Sequence, residues 1–271
     1  MMSCPASLVR LAAWAQNGAV SLAAADVISL PRLSVALVPV VLVLAIMIRW
    51  QSGVATSIYA LARMLLQLLL IGFVLHAIFE SQQLWTVLLT IMVMAAAAGW
   101  ISLRVATQRR RQLVRYALAA IVCGGGLTLI VVTQGVLQLS PWYLPQKLIP
   151  LAGMIFSNCM TAVSLAVDRL TVELRGGQNW ASARQAAFRA SLIPITNSLF
   201  AVGLVAIPGM MTGQVLSGVD PAVAARYQIM VMCMAFGSAG LSSALFLQFA
   251  GEQNLRQLAA DSDTQAKETA G

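Results

Sequence analysis

Residues 84–115 read LWTVLLTIMVMAAAAGWISLRVATQRRRQLVR. For eighteen positions, from Leu84 to Ile101, no side chain carries a charge, and the stretch closes on Trp100. Five arginines then follow in quick succession at 104, 109, 110, 111 and 115. An apolar run of this length matches the hydrocarbon core of a bilayer. A tryptophan at its edge and a basic loop beyond it are the marks of a membrane interface facing the cytoplasm.

The rest of the chain repeats this pattern. Of 271 residues, 59% are hydrophobic and only 10% charged, where a soluble domain carries roughly a quarter charged. There is too little polar surface to cover a water-soluble protein of this size. Apolar runs place spans at about 33–48, 58–78, 84–101, 116–139, 148–167, 192–207 and 221–249. The expected fold is therefore an all-α integral membrane protein, a bundle of about seven transmembrane helices. Residues 1–30 form an N-terminal extension, 31–250 the transmembrane domain and 251–271 a polar cytoplasmic tail. The extension is broken by Gln16, Asn17 and Gly18, so it reads as an interfacial segment in preference to a cleaved signal. Pro39 is expected to kink the first span, and Gly124, Gly125 and Gly126 to permit close approach or a break in the fourth. Asp220 followed by Pro221 reads as a helix cap with proline at the first helical position.

Basic residues set the orientation. With the N-terminus outside, the inner loops hold Arg49, the five arginines of 104–115, Arg169, Arg175, Arg184, Arg189, Arg256 and Lys267. The outer side holds only Arg10, Arg32, Lys147 and Arg226. Twelve against four favours N-outside and C-inside. The formal charge of +8 is thus a topology signal, with no basic stripe for nucleic acid.

Chemistry finds little purchase. The nine carboxylates all lie outside the middle of the spans, and the single histidine, His76, is near the end of the second. That disfavours a proton-driven carrier. No glycine-lysine dipeptide occurs, which removes a Walker A motif. The four cysteines form no C-x-x-C pair, so neither a zinc site nor a disulfide framework is indicated. The chain is expected to be no enzyme and to need no cofactor or resident metal.

Polar groups inside spans are the candidates for a substrate path. Arg63 and Gln67 lie one turn apart on one face of the second span, where Arg63 either meets a partner inside the bundle or snorkels to the interface. On the fifth span Ser157, Thr161 and Ser164 share a face beside Asn158; helix-to-helix hydrogen bonding would explain the same lane. Thr196, Asn197 and Ser198 follow Pro194, whose ring frees backbone carbonyls. Met210 and Met211 offer soft thioethers after Pro208 and Gly209, or simply fill space. Asn158 and Asn197 are expected to face one cavity, with Arg63 and Gln67 near its cytoplasmic side. Residues 178–189 read as a short amphipathic helix, with Trp180, Ala183 and Ala187 on its apolar face and Arg184 and Arg189 elsewhere. It has the form of a coupling helix that docks that apolar face on an ATPase, or of an interfacial helix resting on headgroups.

Three stretches carry a resemblance: RMLLQLLLIGFVL at 63–75, LIPLAGMIFSNCM at 148–160, and LIPITNSLFAVGLVAIPGMMTGQVLSGVDPAVAARYQIMV at 192–231. Together they resemble the FetB-type family of ABC-transporter permeases, iron exporters with relatives linked to metal resistance and to plant aluminium tolerance. The resemblance marks Arg63, Gln67, Gly153, Met154, Asn158, Asn197, Pro208, Gly209, Met210, Met211, Gly213, Arg226, Tyr227 and Gln228. It implies a permease subunit in the cell inner membrane, paired with a separate cytoplasmic P-loop ATPase and a second copy of itself, exporting iron or a related small solute. The rival expectation is a stand-alone secondary transporter. Two departures are visible: a long N-terminal extension, and a segment between the fifth and sixth spans that lacks the leucine-glycine-alanine-threonine stretch of many relatives.

Overall fold

The computed structural model describes residues 30–81, 83–106 and 109–270. The N-terminal extension, Cys4 and Gln82 lie outside the described residues, as does the side chain of His76. Among the described residues nine α-helices follow in order: α1 (Leu30–Val35), α2 (Val38–Arg49), α3 (Val54–Ser81), α4 (Leu84–Ser102), α5 (Arg110–Ile130), α6 (Pro145–Arg175), α7 (Trp180–Ala201), α8 (Gly209–Leu216) and α9 (Pro221–Ala270). A π-helical stretch, Val131–Val136, extends α5. Among the described residues six helical segments are long and apolar enough to cross a membrane. The chain divides into two compact units, residues 1–77 with 213–219, and residues 78–212 with 220–271.

In the first unit, α1 stops at Val35 and α2 restarts at Val38. Pro39 therefore sits in the first turn of α2 and does not kink a continuous helix. Proline belongs there because the first-turn N–H groups have no helical acceptor in any case. The turn after Trp50 uses Gln51 and Gly53 at positive φ before α3 begins. No residue of α2 is buried, and Leu42 and Leu69 are both largely exposed. Helices that are apolar all round and exposed in this way present a surface suited to lipid.

The second unit is organised around α6, which packs against α4, α5, α7 and α9. Its buried residues Ala152, Ile155, Cys159, Ala162, Val163, Ala166 and Leu170 recur every three or four positions, so one helix face meets the core throughout. Ala152, Cys159, Ala162 and Ala166 put small side chains among the larger ones of that face, which lets helices associate through close packing where lipid supplies no hydrophobic drive. The closest approach is at Gly124, where a Cβ would lie 2.7 Å from Ser242 Oγ and 2.8 Å from Ser242 N on α9. At Gly125 it would lie 3.1 Å from both Cys159 Sγ and Ile155 Cγ2 on α6. The glycine triplet thus works as a contact surface on two sides, and the helical irregularity comes later, at 131–136.

Three expected boundaries are corrected. Residues 178–189 are no separate short helix: α7 runs unbroken from Trp180 to Ala201, straight through Pro194. The expected sixth span, 192–207, then loses its end, because residues 202–208 leave the helix, with Gly203 at φ +81 and Val202 bridged to Ala206. Pro208 has no N–H to rejoin a ladder, and α8 starts immediately after it. Third, the polar tail is helical: α9 bends at Gly251, which has φ +69. A left-handed backbone angle there costs glycine little and any other residue more.

Beyond that bend Leu255, Leu258 and Ala259 are buried. Asp261 pairs with Arg109, which also reaches Gln257 at 2.7 Å, and Arg175 Nε donates to the Ala259 carbonyl at 3.4 Å. Arg110 lies 4.0 Å over the Trp100 ring and donates twice to the Trp100 carbonyl, closing the end of α4. The cap expected at Asp220 is present, its Oδ1 accepting from Ala222 N at 2.8 Å and Val223 N at 3.2 Å.

Candidate functional site

The polar lane of α6 is largely occupied with its own backbone. Asn158 Nδ2 donates to the Met154 carbonyl at 2.8 Å, and Thr161 Oγ1 to the Ser157 carbonyl at 3.0 Å. A hydroxyl or amide bonded one turn back satisfies itself where no water is available. Asn158 is half-buried and Thr161 exposed. On α7, Ser198 Oγ donates to the Pro194 carbonyl at 3.0 Å, and Asn197 is exposed. Ile195, two residues earlier, is buried with Ala162 of α6 and with Ala235 and Ala239 of α9. Two residues along a helix is about 200° of rotation, so Asn197 points away from that seam. Arg63 and Gln67 sit one turn apart on α3 in the first unit, and both are exposed.

Met210 and Met211 are half-buried in the first turn of α8. Met211 lines a cavity of about 500 Å³ formed by the end of α7, the turn after it and the start of α9. Gln228, Met232 and Cys233 line the same space. Sequence reasoning reached Gln228 only through resemblance and missed Met232 and Cys233. The available signal was helical spacing, since Gln228 and Met232 are four apart and Ile229 and Cys233 likewise.

The segment expected to couple to an ATPase is arranged differently from its reading. Ala183 and Ala187 are fully buried, in line with Ser191 and Ile195, on the face that α7 turns to α6 and α9. The apolar face is thus taken by this chain, which corrects its expected use for docking. Arg184 and Arg189 are exposed and Trp180 half-buried. Beside them a second cavity of about 530 Å³ is lined by Arg184, Gln185 and Phe188 of α7 and by Leu247 and Gln248 of α9. Among the described residues no three of histidine, cysteine, aspartate and glutamate come together to hold a metal ion.

Six long apolar helical segments among the described residues, with Asn158, Thr161 and Ser198 each bonded one turn back along its own helix, define a multi-pass membrane protein. The chain belongs to UPF0014: the model of that family, described as "Uncharacterised protein family (UPF0014)", matches residues 30–254. It is 36% identical over 203 residues to a UPF0014 membrane protein of Synechocystis sp., covering 69% of this chain and 78% of that one. It is 33% identical to the "Probable iron export permease protein FetB" of Escherichia coli, over 78% of this chain and 86% of the relative. The protein ALUMINUM SENSITIVE 3 of Arabidopsis thaliana is 32% identical, over 75% of this chain and 80% of its own. No solved structure matches the chain.

Proposed function

We propose that this chain is the membrane-spanning permease subunit of an ABC transporter in the cell inner membrane, exporting iron or a related small solute with energy from a separate ATPase. The observation that carries the reading is its similarity, across most of both chains, to the E. coli protein named as a probable iron export permease. Absence of a glycine-lysine dipeptide supports it, because ATP hydrolysis of the P-loop type then needs another chain. Mild detergent extraction followed by affinity purification should recover a P-loop ATPase with the permease, and a second copy of the permease in the same particle. A chain that purifies alone, and moves its solute in vesicles without ATP, is a stand-alone carrier.

The N-outside, C-inside orientation belongs to the same proposal. It is supported by the way Arg109, Arg175 and the helix beyond Gly251 meet at one end of the second unit, where the positive-inside bias places the cytoplasm. Cysteines introduced at Arg111 and Gln178 should be shielded from an impermeant thiol reagent in intact cells, and one at Gln83 should react. Labelling of position 111 from outside reverses the topology.

Arg63, Gln67, Met154, Asn158, Thr161, Asn197, Met210 and Met211 are the side chains we assign to the solute's route. Asn158→Leu and Asn197→Leu should each lower transport severalfold with insertion unchanged. Normal transport by both would leave the self-bonded lane with a packing role alone.

A further inference from the structure

The cavity between the end of α7 and the start of α9 carries a single amide in an otherwise apolar and sulfur-bearing wall. Gln228 is 6% exposed and lines this space. An amide carries a carbonyl acceptor and two N–H donors, which a molecule in the cavity can use. Around it Leu199, Ile207 and Ile229 are apolar, and no lining residue is charged. Lipid tails that entered the space would leave the amide as it is, for want of a polar atom. A small molecule with one hydrogen-bonding group would bond to it.

Size separates the remaining occupants. Met211, Met232 and Cys233 bring three sulfur atoms to the wall, and sulfur donors favour soft monovalent cations. A bare ion, however, needs about the space of one water, roughly 30 Å³, whereas the cavity measures about 500 Å³. That volume falls in the range of sites for organic molecules, which are largely apolar with a few placed polar groups. We propose that this cavity binds a neutral, mainly apolar organic molecule that seats a single hydrogen-bonding group on Gln228. The inference goes beyond the permease reading, because it concerns binding and holds whether or not an ATPase drives transport.

Cys233 is exposed and lines the cavity, so it can report occupancy; Cys123, exposed on α5, reports what the bilayer does by itself. The full chain in lipid nanodiscs is alkylated with N-ethylmaleimide and each cysteine is followed by peptide mass spectrometry. The probe is N-phenyl-1-naphthylamine, which has one N–H, and the control is 1-benzylnaphthalene, a hydrocarbon of the same shape. The amine should slow alkylation of Cys233 and leave Cys123 unchanged, at about three- to tenfold lower concentration than the hydrocarbon, as one hydrogen bond requires. Gln228→Leu should erase the difference between the two probes. Met211→Trp, which fills the cavity and leaves Gln228 in place, should remove protection by both. Equal slowing at Cys233 and Cys123, or equal potency of the two probes on the unaltered chain, overturns the proposal. So does protection of Cys233 by micromolar silver ion with none by the amine, which would make the site one for a soft cation.

Discussion

Gly124→Ala lowers the thermal unfolding midpoint of the purified protein by several degrees, while Gly126→Ala leaves it unchanged or slightly raised. The two residues stand two apart in one helix, so intrinsic helix preference affects them alike, favouring alanine by about 0.5–1 kcal/mol. Space decides between them. A Cβ at 124 would sit 2.8 Å from a backbone nitrogen of α9, and at 126 it would meet nothing within 4 Å. Backbone cannot rotate aside as a side-chain tip can, so α5 and α9 must separate, at a cost of about 1–3 kcal/mol. For a chain of this size that is roughly 2–12 °C. Gly125→Ala falls between the two, since it meets the ends of the Cys159 and Ile155 side chains at 3.1 Å. Equal effects at 124 and 126 would show that the α5–α9 contact is looser than described.

Ala187→Asp prevents accumulation of folded protein whether or not an ATPase is present, whereas Arg184→Glu with Arg189→Glu leaves the fold intact and loses the partner. Ala187 is fully buried against the helices of its own chain. A carboxylate there has neither water nor a cation, a penalty of several kcal/mol. Arg184 and Arg189 project outward, and reversal of an exposed charge costs the fold little. Under the proposed function they, with the half-buried Trp180, are the residues of α7 assigned to contact with the ATPase. Size-exclusion profiles separate the two effects: the first variant is lost as aggregate, the second elutes as a permease without its ATPase. A charge-reversed permease that keeps its partner would move the docking surface elsewhere.

The sequence announced helices far better than it announced their faces. Apolar runs located six of the seven expected spans, 192–207 being the exception, because a bilayer demands an uninterrupted apolar length and little else. The cap at Asp220 was legible because it depends on two adjacent residues. Residues 201–207, AVGLVAI, were unreadable for the same reason that the spans were readable. In a membrane the apolar stretch may be helix or turn, and only the positive φ of Gly203 and the missing N–H of Pro208 decide. The spacing of Ala183 and Ala187 correctly gave an apolar face, but spacing cannot say whose surface covers it. Likewise Asn158 was visible as a polar residue inside a span, and its bond to the Met154 carbonyl was not. Beyond Gly251 the alternation of Leu255 and Leu258 with Glu252, Arg256 and Gln257 was a helical stripe that charge content obscured.

The contacts of that last segment bear on how the protein is made. Arg109 and Asp261 are 152 positions apart, so this contact cannot form until the far end of α9 has been made. A chain truncated before residue 251 keeps the apolar part of α9 and loses all of these contacts. Arg109, Arg175 and the seat of Leu255 and Leu258 are then left open as a basic and apolar notch. The helix beyond Gly251 covers this notch, so the contact that closes it spans most of the length of the second unit's chain.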